Sequence, residues 1–151
     1  MQFSTSIEYA IHGLVYLAVN GSETATLVGD VARAIKVPDS YLRKVFQLLV
    51  RGGLVSSQRG ARGGFVLARE PARITLKDVV EAIDGSLPLY TCMKAKRKCS
   101  GVAACPVSSA FEEARKKMAD VLDATTLASL SRGIARRSAR WLNVTGCAEE
   151  D

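Results

Sequence analysis

The sequence holds little from which to build an enzyme or a membrane anchor. No charged n-region leads into an apolar h-region at the start, and no apolar run is long enough to cross a bilayer. That absence predicts a cytoplasmic protein with no membrane partner. No phosphate-binding glycine loop follows a strand pattern and no catalytic triad is evident, so no enzyme is expected. With 151 residues the chain is too short for a large multidomain architecture, and one compact unit with an extension is expected. Histidine is nearly absent, His12 being the only one. Cysteine is sparse too, and in a reducing compartment the four present point to metal ligands or redox sensors rather than structural disulfides.

Charge is present and unevenly spread. The net charge of +6 favours a polyanionic partner. Residues 1 to 26 carry only Glu8 and Glu23, whereas Leu27 to Arg69 carries eight arginines and lysines against Asp30 and Asp39. The basic segment is therefore where nucleic acid should bind, with the DNA-reading part between about Leu27 and Leu67.

Apolar spacing divides this region into helices. Ser4 or Thr5 can cap a first helix that carries Ile7, Ala10, Ile11, Leu14, Val15, Leu17 and Ala18 as a broad stripe and stops at Asn20-Gly21. A short second helix runs from about Leu27 to Ile35, with Thr26 as its expected cap. The third opens at Pro38-Asp39 and ends at Gly52-Gly53, burying Leu42, Val45, Phe46 and Leu49 and leaving Ser40, Arg43, Lys44, Gln47 and Arg51 outside. Two short helices joined by a tight turn, the second with a basic and amide-rich outer face, predict a helix-turn-helix. Leu54–Gln58 and Phe65–Leu67 read as strands flanking a glycine-rich turn with Arg59 and Arg62, which makes a wing. The fold class expected is mainly α with a small β-hairpin, a winged helix-turn-helix.

Beyond the wing, Thr75-Leu76-Lys77-Asp78 resembles a capping box for a helix ending at Asp84-Gly85. From residue 107 onward Phe111, Ala114, Met118, Val121 and Leu122 form an apolar seam that suggests a homodimer. The expected organisation is a DNA-binding domain at 1–85, a cysteine-rich loop at 86–106, a dimerisation helix region at 107–131 and a tail at 132–151. Arg132, Arg136 and Arg140 share a face if that tail is helical, and read as solvated.

Cys92, Cys99 and Cys105 are separated by six and five residues, looser than the paired knuckles of structural zinc. An iron-sulfur cluster tolerates such loops because its irons span a larger body, and Lys94, Lys96, Arg97 and Lys98 offset its anionic charge. Zinc is the second reading and three unrelated thiols the third. Cys147, in a polar tail, is the weaker ligand candidate.

Taken in order, these elements resemble the Rrf-type bacterial repressors, the family of the iron-sulfur cluster regulator IscR and the nitric-oxide sensor NsrR. The resemblance runs to about residue 130. It rests on Ser40-Tyr41-Leu42 opening the recognition helix, on Gly53-Leu54-Val55-Ser56-Ser57 leading to Arg59-Gly60 and Gly63-Gly64-Phe65, on Val79 to Gly85, and on the spaced cysteines. It implies operator duplex DNA as partner, with Ser40, Tyr41, Arg43, Lys44 and Gln47 facing it and Arg59 or Arg62 in the minor groove. Tyr41 can instead pack, with its hydroxyl on a phosphate. The resemblance also implies a 4Fe-4S cluster, with 2Fe-2S as the alternative. Histidine-using relatives place that ligand three residues after the third cysteine, where Ser108 stands here. Carboxylate-using relatives place theirs in the partner's first helix, where Glu8 stands, and a redox-sensing relative uses a Glu and His pair like Glu8 and His12. The implied function is a cluster-containing repressor that senses nitric oxide or redox stress. The alternatives are a regulator of cluster supply or iron status and a cluster-free thiol-responsive repressor.

Overall fold

The computed structural model describes residues 3–20, 24–60, 63–85 and 105–135. Helix α1 (Thr5–Asn20) crosses behind α2 (Val28–Ala34) and α3 (Asp39–Arg51), and the hairpin β1 (Val55–Gln58) and β2 (Gly64–Leu67) follows. A 3-10 turn (Pro71–Arg73), α4 (Leu76–Asp84), α5 (Pro106–Ala124) and α6 (Leu127–Ala135) complete the described residues. The protein is mainly α with a winged helix-turn-helix, as its patterning predicts.

One apolar core joins these elements, through Leu14 and Leu17 of α1, Val31 of α2, Phe46 and Leu49 of α3, Leu54 and Ile74. Phe46 is fully buried and sets two spacings. A Cβ at Gly13 would stand 2.7 Å from its ring, so α1 can approach α3 closely only because residue 13 has no side chain. On its other side the ring meets Phe65 of the wing edge-on, with centroids 5.1 Å apart. The recognition helix is thereby locked to both its backing helix and its wing.

The hairpin pairs Val55 with Leu67 and Gln58 with Gly64 in antiparallel register. Thr26 was expected to cap α2, and the structure corrects this. Its backbone exchanges hydrogen bonds with Phe65, Thr26 N to Phe65 O at 3.0 Å and Phe65 N to Thr26 O at 2.8 Å, pairing one more residue along the outer edge of β2. Leu27 holds the N-cap position with no side-chain bond, because Thr26 is extended and committed to the wing. Gly64 accommodates the approach, since a Cβ there would lie 2.5 Å from the Thr26 carbonyl oxygen. Ser4 likewise does not cap α1; its hydroxyl donates to Asp84 at 2.7 Å and its backbone N–H reaches the same carboxylate at 3.2 Å.

The capping box at α4 forms: Asp78 N–H donates to the Thr75 hydroxyl, and the Asp78 carboxylate accepts from Thr75 N–H. Between residues 106 and 135 the chain makes two helices rather than one. They break at Thr125-Thr126, where Thr126 bridges to Thr75 and Leu127 N–H bonds to Ile74 O at 2.8 Å. Leu127 is buried in the core with Leu130 and Ile134 packed against it, so α6 returns to the core shared by α1–α4. α5 has no buried residue along its 19 positions. Among the described residues no helix is long and apolar enough to cross a membrane.

Replacing Gly13 with Ala is expected to destabilise the fold by about 1–3 kcal/mol, because Phe46 is clamped by Phe65 and cannot yield to the new methyl. Urea unfolding of the variant and parent measures this; an unchanged midpoint would show that the α1–α3 approach is looser than described.

Candidate nucleic-acid interface and ligand site

α3 is short, strongly two-faced and sharply bounded. Pro38 precedes it in an extended conformation and Gly52 caps it, with Gly53 beyond at φ 67°. The turn from α2 places Lys36 at φ 56°, a left-handed conformation that a non-glycine residue adopts at some cost. With Leu42, Val45, Phe46 and Leu49 buried, Ser40, Arg43, Lys44, Gln47 and Arg51 are exposed along one face. Tyr41 leans back instead: its hydroxyl shares a 2.8 Å hydrogen bond with Ser6 and its ring stands edge-on to Tyr9 at 5.4 Å. It ties α3 to the first turns of α1 while staying 38% exposed.

Between α2, α3 and the wing lies an open hollow of about 350 Å3, lined by Asp30 and Arg33 of α2, Arg43 of α3, and Ser57 and Gln58 of β1. Arg43 donates to Asp39 at 3.1 Å and Arg33 to Asp30 at 2.9 Å. Ser57 and Gln58 are not among the contact residues expected from the sequence, since nothing local marks a strand residue as facing a helix from another part of the chain. Arg59 is exposed at the end of β1, and Arg62 lies outside the described residues.

Glu8 and His12 stand one turn apart on α1, and both line a second hollow of about 420 Å3 with Phe3, Ser4, Ile7 and Ile11. Glu8 is exposed, whereas His12 is buried, which pushes its imidazole below the ordinary value of 6.5 and keeps it neutral. A carboxylate and a neutral imidazole on one wall are a donor set suited to iron. Cys105 is half-buried at the N-cap of α5, and Ser108 is half-buried one turn further on. Cys92, Cys99 and Cys147 lie outside the described residues. Among the described residues no group of three or more histidine, cysteine or carboxylate side chains is positioned to hold a metal ion.

A basic two-faced helix, backed by a second helix and flanked by a hairpin wing that also pairs with Thr26, defines a winged helix-turn-helix transcription regulator. The family model for Rrf2, an iron-dependent transcriptional regulator, matches residues 3–133, and the chain belongs to that family of regulators, not enzymes. It is 34% identical over 131 residues to the transcriptional regulator NsrR of Geobacillus kaustophilus, covering 86% of this chain and 89% of that one. Among solved structures it is similar to CymR, the global cysteine regulator of B. subtilis, with 27% identity and a TM-score of 0.73 over 89% of this chain and 98% of that one. It is also similar to T. potens IscR, with 28% identity and a TM-score of 0.69 over 88% of each chain.

The buried His12 gives a pH prediction. Its folded-state pKa lies below 6.5, so the unfolded chain takes up the proton first as pH falls. The stability that comes from neutral burial is complete above that value and declines below it, by at most about 1.4 kcal/mol per pH unit. His12→Gln should flatten this acid limb in denaturant titrations from pH 7 to 5; parallel curves for the two proteins would contradict it.

Proposed function

We propose that the protein is a homodimeric repressor that reads operator DNA with α3 and the wing and senses nitric oxide or redox stress through an iron-sulfur cluster. The cluster, 4Fe-4S by preference, is held by Cys92, Cys99 and Cys105 of one subunit and Glu8 of the other. The observation that carries this reading is the wall formed by Glu8 and His12. An exposed carboxylate and a buried neutral imidazole line one hollow on the helix that backs the recognition helix. The spaced cysteines and the likeness to NsrR and IscR support the same reading.

Dimerisation is supported by α5. Val107, Phe111, Ala114, Met118 and Val121 alternate spacings of four and three, the 3.5-residue period of a helix pair, and Val107 and Val121 are 50% and 65% exposed. Two-fold operators are read by two-fold dimers, so a second copy is the fitting occupant of this seam.

In such a dimer Ser40, Arg43, Lys44 and Gln47 enter the major groove and Arg59 with Arg62 reach the minor groove, while Tyr41 braces α3 against α1. The cluster supplies irons that nitric oxide or oxidants attack. The chain's own residues supply the link to DNA. Ser4 is bonded to Asp84 at the root of the cysteine-bearing segment, and Ser6 is bonded to Tyr41. A displacement of the first turn of α1 is thus felt at both ends. A cluster-free thiol-responsive repressor is the second reading, favoured by the likeness to the cysteine regulator CymR.

Arg59→Ala should weaken operator binding and lower the slope of log affinity against log salt by about one, the signature of one lost phosphate contact. An unchanged slope would remove Arg59 from the interface. For the ligands, Glu8→Ala, His12→Ala, Ser108→Ala and Cys147→Ala proteins are reconstituted anaerobically and compared in iron, sulfide and visible absorption. Glu8→Ala should lose cluster fastest on nitric oxide exposure, with Ser108→Ala and Cys147→Ala like the parent. Mixed Glu8→Ala and Cys105→Ala subunits should recover, in the heterodimer, absorption of the parent's shape at about half its amplitude, since one of the two shared sites is intact. Loss only in His12→Ala or Cys147→Ala overturns the Glu8 assignment, and no recovery on mixing overturns ligation across the dimer. A colourless parent with redox-dependent DNA binding establishes the thiol reading instead.

A further inference from the structure

The basic segment from Leu27 to Arg69 contains only two acids, and their placement is uneven. Asp30 lines the hollow between α2, α3 and the wing, paired with Arg33. Asp39 stands at the edge of the same hollow. Its Oδ2 accepts from Arg43 Nη2 at 3.1 Å and lies 3.6 Å from where a Cβ on Gly29 would be, and both Gly29 and Arg43 line the hollow. Both acids of the segment thus stand at this hollow, each paired with an arginine that lines it.

We propose that Asp39 is a specificity-determining residue of the DNA interface, holding Arg43 toward base edges and keeping phosphate out of this hollow. The inference rests on the reading of the exposed face of α3 as base-reading. A carboxylate only accepts hydrogen bonds, and phosphate oxygens and the guanine O6 and N7 atoms only accept as well. Asp39 therefore gains nothing from a phosphate and is matched in the major groove by an amino group, cytosine N4 being the usual partner of Asp. Arg43 carries five N–H donors, and the bond to Asp39 engages one terminal nitrogen, leaving other donors for a guanine. The pair together selects a guanine for Arg43 with a cytosine amino group beside it for Asp39. On sequences that offer no amino group there, neither cytosine N4 nor adenine N6, the carboxylate is unmatched and repelled, so it lowers affinity for random DNA more than for the operator.

A purely local role for Asp39 would be to stabilise the N-terminus of α3, which a first-turn acid does through the helix dipole. Asp39→Asn removes the dipole interaction along with the charge, and that loss appears as lowered thermal stability, whereas a changed base profile and random-duplex affinity do not follow from it.

The test selects duplexes from a randomised pool with the parent protein, then measures every single-base change and a random-sequence duplex with the parent, Asp39→Asn and Arg43→Ala. Thermal unfolding of each variant is recorded alongside. Arg43→Ala should erase preference at one guanine by about tenfold. Asp39→Asn should weaken the same preference, shift the adjoining one away from cytosine, and bind the random duplex several-fold more tightly than the parent. A base profile and random-duplex affinity both equal to the parent's for Asp39→Asn, with Arg43→Ala altered, overturn the proposal and leave a local helix contact. A flat response in both variants overturns the base-reading assignment of α3 itself.

Discussion

The clamp on Phe46 is the constraint from which the DNA-reading geometry follows. Its ring has no solvent exposure, abuts Gly13 of α1 on one side and meets Phe65 of the wing on the other. Burying one such ring contributes about 1.5–3 kcal/mol, but position matters here as much as energy. A winged helix-turn-helix must hold two contacts, recognition helix and wing, at a separation fixed by the grooves of DNA. One aromatic pair sets that separation, and the Thr26–Phe65 rung fastens the same strand to the chain entering α2. Phe65 thus serves twice, through its side chain to α3 and through its backbone to Thr26.

Against this apolar clamp the surface ion pairs are weak. An exposed pair such as Arg33–Asp30 or Arg43–Asp39 contributes only about 0.3–0.5 kcal/mol to a helix. Arg69–Asp78 at 3.6 Å and Lys77–Asp123 at 3.9 Å, which fasten the wing's exit to α4 and α4 to α5, are longer still. The charges of the basic segment therefore do little for the fold. Their uneven placement shapes the field met by a polyanion, where screening is weaker and partners are desolvated.

Features set by short-range rules were legible in the sequence. The bounds of α3, the capping box at Thr75 and Asp78 and the two wing strands follow from glycine, proline and period alone. Thr26 was misread because Thr is a good cap and the strand competing for it lies about forty residues away. Ser4 was misread for the same reason, its hydroxyl going to Asp84 across the fold. The seam after residue 107 has continuous helical period, so the break at Thr125-Thr126 and the return of Leu127 to the core depend on the backbone of Ile74 and Thr75, which no local pattern encodes. Of the candidate ligand site, the shared face of Glu8 and His12 was readable from their spacing of four. The depth of His12 was not, since it depends on what covers α1.

α1 is where these constraints converge. Its middle carries Gly13, whose lack of a side chain admits Phe46. Its first turns carry Glu8 and His12 on the hollow's wall and Ser6 bonded to α3, and Ser4 just before it is bonded to α4. A helix of 16 residues moves as a rod, so these attachments are not independent. Motion at the Ser4 end, next to the root of the cysteine-bearing segment, acts on Tyr41 within the first turn and on Phe46 two turns later. Because the core around Phe46 is close-packed, it resists graded deformation and transmits a shift of α1 as a displacement of α3 and the wing together. A shift of the first turn of α1 would therefore move α3 and the wing as one body rather than reshape their surface.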